Sequence, residues 1–239
     1  MNPITNEPAL YLKDKDLLVI ADLHIGIEYE LSDRGISIGS RVRDLIERVR
    51  KLSKKLRVKR ILILGDLKHA IPRSGYRERR DLSDFLRSLE GMKLYLVPGN
   101  HDGRIRKLVG DEIDILPSGG VVMGSVAFAH GHRWPDRRLM KAKTLVLAHT
   151  HPTFSLRDRF GYRFTERCWV LARPNIEILE ERYGNISLER VVVMPAFNPL
   201  CGGISVNEEG LIGIVDKVVD KKDLEVFLMD GTYIGRISR

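Results

Sequence analysis

The chain has 239 residues, 43% of them hydrophobic, which is enough apolar material for a globular protein with a sizeable core. Its longest apolar stretches fall far short of the roughly 18 residues that a membrane-spanning helix requires, which excludes an integral membrane protein. The net charge of +8 favours anionic partners, either nucleic acid or phosphorylated small molecules.

Composition also bears on the compartment and the source. The first ten residues lack the basic start and the apolar stretch of a secretory signal, so we expect a cytoplasmic protein. Cys168 and Cys201 have no spacing typical of a metal knuckle, and we expect both to be structural thiols. Glutamine is absent and 30% of residues are charged, a composition typical of heat-adapted proteins.

Five short apolar runs are predicted to be buried strands, because each is bounded and only four or five residues long. Each run ends abruptly in polar residues of the kinds that bind metals. The runs are residues 17–21, 61–64, 94–97, 126–129 and 145–148. The polar residues that follow them are Asp22-Leu23-His24, Gly65-Asp66, Gly99-Asn100-His101-Asp102, His130-Gly131-His132 and His149-Thr150-His151.

Helices are predicted between the first three strands. Residues 41–60 hold ten Lys or Arg and apolar residues at helical spacing, which indicates an amphipathic helix with a basic outer face. That face is either an ordinary solvated surface, the commoner meaning of a charge run, or an anion-binding one. A second helix is predicted from about residue 76 to 89, with Ser74 as N-cap and Gly91 as its stop. Alternating strands and helices predict parallel strands, whose carboxyl ends gather ligands.

The sequence after His151 is strand-rich, with predicted strands at 160–171, 191–194 and 211–215. Asp230-Gly231 between two apolar runs predicts a two-residue hairpin turn. We expect this part, from about residue 152, to add a second sheet. Because the chain has no internal repeat and no Gly/Ser/Pro-rich linker, residues 1–239 are expected to form a single domain.

All seven histidines lie in or directly beside the strand-end motifs, which is unexpected for structural histidines and typical of a metal site. Asp22 and His24 are two residues apart, as are His149 and His151, so in an extended segment each pair would leave on one face. Asp66, Asn100 and His130 complete a mixed ligand set that suits Mn²⁺, Fe²⁺, Zn²⁺ or Ni²⁺ better than Ca²⁺. A structural zinc site is not expected without thiolates.

These motifs together resemble the pattern of the calcineurin-like metallophosphoesterase superfamily, which is D-x-H, G-D, G-N-H-D/E, H and G-H-x-H in chain order. Residues 65–69, the His130-Gly131-His132 form and residues 197–203 are similar to the prokaryotic ICC-like phosphoesterases. Relatives in that branch are described as DNA-ligase-associated nucleases. Ala148 stands where the last motif normally has glycine, which is tolerated unless the backbone there needs a positive φ. The resemblance implies a four-layer α/β/β/α sandwich.

The resemblance also implies a role for each motif residue. The first of two divalent ions would be held by Asp22, His24 and His151, the second by Asn100, His130 and His149, with Asp66 bridging both. His101 is the implied catalytic residue facing the substrate, with Asp102 as its orienting partner. We expect His132 to contact a substrate phosphate, the alternative being that it holds His130 in place. His69 is either a residue of the active-site rim or a structural one.

The expected function is hydrolysis of phosphodiester bonds with two divalent metal ions, preferably Mn²⁺, and with DNA or RNA as the substrate. The alternatives are a small-molecule phosphatase or cyclic-nucleotide phosphodiesterase, and, from another class, a metal-binding scaffold without catalysis. The cations nearest the motifs are the predicted phosphate contacts: Arg133, Arg137, Arg138, Lys141 and Lys143. Between residues 157 and 169, arginines alternate with aromatic residues, which predicts either a stacking surface for single strands or a half-buried hairpin.

Overall fold

The structure is a computed structural model that describes residues 1–72 and 74–238. Two β-sheets pack face to face, and helices cover the outer face of each sheet. The expected four-layer α/β/β/α sandwich is confirmed.

The first sheet has six strands in the order β1-β2-β3-β4-β5-β6. They are β1 (Asn2–Ile4), β2 (Glu7–Leu12), β3 (Leu17–Ile20), β4 (Arg60–Leu64), β5 (Lys93–Val97) and β6 (Asp114–Ile115). Strands β3, β4 and β5 are parallel neighbours, as their alternation with helices predicted. Their carboxyl ends therefore meet at one edge of the sheet.

The second sheet contains nine strands, in the order β13-β10-β11-β12-β9-β8-β7, with β14 and β15 attached through β11. They are β7 (Val121–Met123), β8 (Val126–Phe128), β9 (Thr144–Leu147), β10 (Pro152–Arg157), β11 (Arg163–Pro174), β12 (Arg190–Val193), β13 (Ile204–Ser205), β14 (Val219–Leu228) and β15 (Tyr233–Ile237). Strands β8 and β9 are parallel, and both end at residues of the predicted motifs.

The helices are α1 (Ile27–Asp33), α2 (Val42–Leu56), α3 (Tyr76–Ser88), α4 (Arg106–Val109), α5 (Ile176–Tyr183) and α6 (Gly213–Val218). Helices α2 and α3 bury their apolar faces on the first sheet, so the basic residues of α2 face outward as predicted. No helix within the described part of the chain is both long enough and apolar enough to cross a membrane.

Successive side chains of a strand point to opposite faces of its sheet, so they pack into different layers of the core. In β3, Leu18 and Ile20 pack under the helices, whereas Leu17 and Val19 point into the layer between the sheets. From the other side, the second sheet fills that middle layer with large side chains, including Phe128 and Trp169. This middle layer holds the two sheets together next to the edge where the motifs lie.

Three local predictions were wrong. Residues 211–215 were predicted to be a strand, but Leu211, Val215 and Val218 are buried at helical spacing and residues 213–218 form α6. Helix α3 is capped by Gly75, whose carbonyl accepts from the Arg79 amide, and not by Ser74. The final hairpin forms at the predicted place, but its loop spans residues 229–232 and not two residues.

Candidate metal centre

The centre lies where five strands from both sheets end. Direct hydrogen bonds join the loops that follow these strands. The backbone amide of Asp22 donates to the Gly65 carbonyl at 3.1 Å, and that of His24 to the Asp66 carbonyl at 2.8 Å. The amide of His149, from the second sheet, donates to the Asp22 carboxylate at 3.3 Å. Hydrogen bonds therefore join the loops of the first sheet to each other and to the loop that carries His149 in the second sheet.

The backbone at the centre is left-handed and not extended. Asp22, His24, Asp66, His149 and His151 have φ of 55°, 41°, 51°, 72° and 44°. The premise that each pair leaves an extended segment on one face is therefore wrong, although the side chains do converge. A non-glycine residue in this region costs of order 1–3 kcal/mol, and such residues cluster at functional sites. Ala148 is not among the positive-φ residues, so alanine fits where relatives have glycine.

Two motif glycines are required because side chains approach them too closely for a Cβ atom. A Cβ on Gly65 would lie 2.1 Å from His130 Nδ1, and one on Gly99 would lie 2.2 Å from Asp66 Oδ1. Both distances are well inside ordinary van der Waals contact. Because Gly65 has no side chain, His130 of the second sheet can approach the end of β4. Because Gly99 has none, Asp66 can approach the end of β5.

Among the described residues the ligand-type atoms form four overlapping groups of three. Two contain Asp66, and the other two join His24 with His69 and His101, and His24 with His151 and Cys201. The atoms of Asp22, His24 and Asp66 lie within 4.8 Å of one another, and His151 Nε2 lies 3.3 Å from Asp22 Oδ1. The atoms of Asp66, His130 and His149 also lie within 4.8 Å of one another. Asp66 is a member of both groups.

Asn100 differs from these residues. Its side chain is exposed, and within the described part of the chain it makes no hydrogen bond. The loop that carries it is anchored at the centre, because the next backbone amide, that of His101, donates to Asp66 Oδ1 at 2.8 Å.

At the centre, five buried ligand-type atoms have no hydrogen-bond partner among the described residues: Asp22 Oδ1, His24 Nε2, His130 Nε2, His132 Nδ1 and His151 Nε2. An unsatisfied buried polar atom costs about 1–3 kcal/mol, so five in one place need a common explanation. In His130 and His151 the other ring nitrogen does have a partner. Nδ1 of His130 lies 2.9 Å from the Leu64 carbonyl, and Nδ1 of His151 lies 2.9 Å from the Gly202 carbonyl. Such a carbonyl fixes the tautomer that leaves Nε2 free for a metal. This donor set fits divalent metal ions.

Burial and charge set the protonation of the cluster. Burial lowers the pKa of His24 to about 3, which keeps its imidazole neutral, as metal ligation requires. Burial would also lower the pKa of His130, but the nearby Asp66 carboxylate, 3.2 Å from Nε2, raises it to about 9. Burial would raise the pKa of Asp66, yet His130 holds it well below its usual value. The buried carboxylates therefore favour positive charge at this place, supplied by a proton or by a metal ion.

His101 lies at the edge of the first group, with its ring centroid 4.6 Å from that of His24. Its Nδ1 contacts the backbone carbonyl of His69. Asp102, the expected orienting partner, contacts other groups instead. Its buried carboxylate accepts from the backbone amides of Leu67 at 3.0 Å and Gly99 at 2.8 Å. The hydrogen bonds of Asp102 therefore join two motif loops and leave the orientation of His101 to the carbonyl of His69.

His132 lies beside the second group. Its ring centroid is 5.3 Å from that of His130 and 6.2 Å from that of His149. Burial lowers its pKa to about 4, so its imidazole is neutral near pH 7. A neutral ring at this distance is compatible with both a phosphate contact and support of His130, and its role stays a prediction.

Sequence reasoning assigned no site role to Asn198 or Cys201 and left the role of His69 open between the active-site rim and a structural one. Cys201 forms a further ligand-type group with His24 and His151. The Asn198 side chain donates to the Leu23 carbonyl at 2.7 Å, which fixes the loop between Asp22 and His24. His69 Nδ1 lies 3.2 Å from His24 Nδ1. The similarity of residues 197–203 to one branch was the only sequence signal for Asn198 and Cys201.

Most of the predicted phosphate-binding cations are bound to their own chain. Arg137, Arg138 and Lys141 donate to the backbone carbonyls of Tyr183, Gly120 and Asn185. Lys143 pairs with Glu189, and Arg133 donates to Ser118. By contrast, the tip of the β10–β11 hairpin is open to solvent, with Phe160 71%, Tyr162 74% and Phe164 47% exposed. Of the two alternatives given for residues 157–169, a half-buried hairpin therefore does not fit the tip, because its aromatic side chains are exposed.

A four-layer α/β/β/α sandwich with a histidine and aspartate cluster at its strand ends defines a metal-dependent phosphoesterase. A family model agrees: residues 16–189 match the calcineurin-like phosphoesterases, and the chain belongs to that family. It is therefore a hydrolase of phosphate esters that depends on divalent metal ions.

The chain is also similar to solved structures, and the one with a TM-score above 0.5 agrees with the fold. The Pseudomonas putida nuclease MPE is 21% identical, with a TM-score of 0.62, over 95% of this chain and 91% of that one. YfcE, a phosphoesterase from E. coli, is 17% identical, with a TM-score of 0.42, over 93% of this chain and 98% of that one. A comparison with curated proteins gives no match.

Proposed function

We propose that the protein hydrolyses phosphodiester bonds in nucleic acid with two divalent metal ions bridged by Asp66. The observation that carries the proposal is the membership of Asp66 in both ligand groups. A carboxylate with two oxygens is suited to neutralise two cations at once. In this proposal Asp22, His24 and His151 hold one ion, and Asn100, His130 and His149 hold the other.

Mn²⁺ is the proposed metal, because imidazole, carboxylate and carboxamide ligands without thiolate suit it. When bound, two such ions would lower the pKa of a water molecule and neutralise the phosphoryl oxygens. The protein itself would hold the ligand side chains rigidly in position. The carbonyls behind His130 and His151 and the strained strand ends supply that rigidity.

His101 is the proposed proton donor to the leaving oxygen. Its Nδ1 contacts the His69 carbonyl and so carries a hydrogen, which leaves Nε2 as the atom that can face the substrate. A protonated Nε2 within hydrogen-bond reach of the ester oxygen can neutralise the charge that develops as the bond breaks. In this role the carbonyl of His69 fixes the ring, as Asp102 was expected to do.

Two observations support nucleic acid as the substrate. The hairpin tip exposes three aromatic rings together with Arg157 and Arg159, a combination suited to stacking bases and binding phosphates. In addition, a nuclease shares this fold over most of its length, so the fold is compatible with such a substrate.

A small phosphate ester is the second candidate. One observation favours it: the cations nearest the motifs are bound to acceptors of the chain itself, which reduces their availability for a polyanion. A small substrate would need the metal centre and few other contacts.

Kinetics across a salt series separate the two candidates. We expect KM for single-stranded DNA to rise steeply with salt, because each phosphate contact releases counterions, and KM for p-nitrophenyl phosphate to change little. An Arg157→Ala/Arg159→Ala variant should flatten the DNA dependence. An Arg137→Ala/Arg138→Ala variant is the matched control, since its arginines are bound to backbone carbonyls. Equal, shallow dependence for both substrates would favour the small ester.

A further inference from the structure

A cavity of about 770 Å³ lies next to the metal centre, on the side of His101. His69 and His101 line it where it adjoins the centre, and Tyr29, Ile71 and Tyr76 line it elsewhere. Its volume lies within the range of small-molecule sites. Tyr76 is 82% exposed and Ile71 57% exposed, so neither is a packed core residue. Large exposed apolar side chains around a concave surface mark a binding site.

We propose that this cavity binds the nucleoside of the leaving group when a phosphodiester is cleaved. The inference rests on the proposed function and adds to it the place and the chemistry of one side of the substrate. In the reaction, the water gives up one proton to solvent as its oxygen bonds to phosphorus, and the ester P–O bond breaks. The leaving oxygen takes a proton from His101 and departs as an alcohol, while the phosphate stays on the other product.

The position of His101 determines where the leaving group lies. Proton transfer requires the leaving oxygen within about 2.6–3.2 Å of the donor nitrogen. The His101 ring packs edge-on against His24 and is stacked on His69, with centroids 4.6 and 5.3 Å away, and those two rings are themselves 5.2 Å apart. The organic group on the leaving oxygen must therefore extend beside these rings. The cavity that His69 and His101 line is the space next to them.

The lining favours a planar and uncharged group. Tyr29 and Tyr76 offer aromatic faces, and the Arg77 guanidinium lies 5.9 Å from the Tyr29 ring centroid. The Tyr29 hydroxyl donates to Asp81, which holds that ring in place. Three carboxylates line the cavity against the single guanidinium of Arg77, those of Glu30, Asp33 and Glu78. Glu30 is paired with Arg34 and His69, so the described residues of the lining hold no cluster of cations for a phosphate. A base and its sugar fit these conditions, and stacking on tyrosine accepts every base.

Adenosine binding to the full chain, measured by titration calorimetry, tests the proposal without requiring turnover. We expect saturable binding of adenosine and none of deoxyribose, which has no base. Tyr76→Ala should weaken adenosine binding roughly 5- to 100-fold, the range that base–aromatic stacking supplies. Tyr76 is exposed, so the variant should fold, and Ile71→Ala provides a second variant on a different segment.

Tyr233→Ala is the matched control, because it removes an exposed tyrosine of β15 that belongs neither to the cavity nor to the hairpin tip. Adenosine binding should stay within twofold in this variant. No saturable binding, or a loss in Tyr233→Ala with none in Tyr76→Ala, would overturn the cavity proposal.

Hydrolysis of bis-p-nitrophenyl phosphate distinguishes this failure from failure of the proposed function. If the diester is hydrolysed and adenosine does not bind, the cavity proposal alone fails. If adenosine binds as expected and no diester is hydrolysed, the nucleoside site stands and the proposed phosphodiesterase function fails.

Discussion

Gly65→Ala should disrupt the metal centre without replacing any proposed ligand. The new Cβ would lie 2.1 Å from Nδ1 and 2.3 Å from Cγ of His130. Carbon contacts are favourable near 3.5 Å, so the imidazole must move by more than about 1 Å. A displacement of that size at a reacting centre can reduce turnover about 10²-fold. Gly65 also has φ of +84°, where a side chain adds roughly 1–2 kcal/mol of strain.

Gly91→Ala separates the two effects. Gly91 has nearly the same φ, +85°, but a Cβ there meets no atom within 4 Å. We expect both variants to lose about 1–2 kcal/mol in the free energy of unfolding from backbone strain. Gly65→Ala should lose about 1–3 kcal/mol more from overpacking. Urea unfolding and hydrolysis of bis-p-nitrophenyl phosphate measure both quantities. Equal stability and full activity in the two variants would refute the close approach of His130 to Gly65.

Three further predictions concern individual side chains. Asp66→Ala should lose both metal occupancy, measured by elemental analysis, and activity, because it removes the one carboxylate common to both ligand groups. His101→Ala should keep its metal but lose roughly 10²- to 10⁴-fold in turnover if His101 is the proton donor; metal loss would contradict that role. Burial raises the pKa of Cys168 to about 12, so its alkylation by iodoacetamide should be negligible at pH 8 in the folded protein and rise only towards pH 12. Fast alkylation at pH 8 under native conditions, compared with a urea-unfolded control, would show that this thiol is accessible.

The strands that lead into the centre could be predicted because each is a bounded apolar run followed by polar motif residues. The same pattern could not show the backbone conformation after the strands. Asp22 and His149 were expected in extended segments and lie at φ of 55° and 72°. Asp and His adopt the left-handed region more often than other non-glycine residues, but residue type alone does not predict this conformation, because tertiary contacts impose it.

Hydrogen-bond partners were the least predictable feature. Asp102 follows His101 in the chain, which suggested a direct pair, yet its carboxylate binds the amides of Leu67 and Gly99. Likewise, Arg137 was predicted from its nearness in sequence to His130 and His132, whereas its guanidinium binds the carbonyl of Tyr183. In each case one partner, Leu67 for Asp102 and Tyr183 for Arg137, lies 35 or 46 residues away in the chain, and proximity in sequence does not report such contacts.

The origin of the ligands in two different sheets ties metal supply to mechanical integrity. Asp22 and Asp66 follow strands of the first sheet, whereas His130 and His149 follow strands of the second. An ion shared between them would act as a cross-link at the open edge of the sandwich, where the middle apolar layer ends. Chelation should therefore permit opening at that edge first, with faster amide hydrogen exchange in residues 22–25 and 148–151 than in the centres of the sheets. A cell short of the metal would then hold a form of the protein that proteases can attack at the active-site loops.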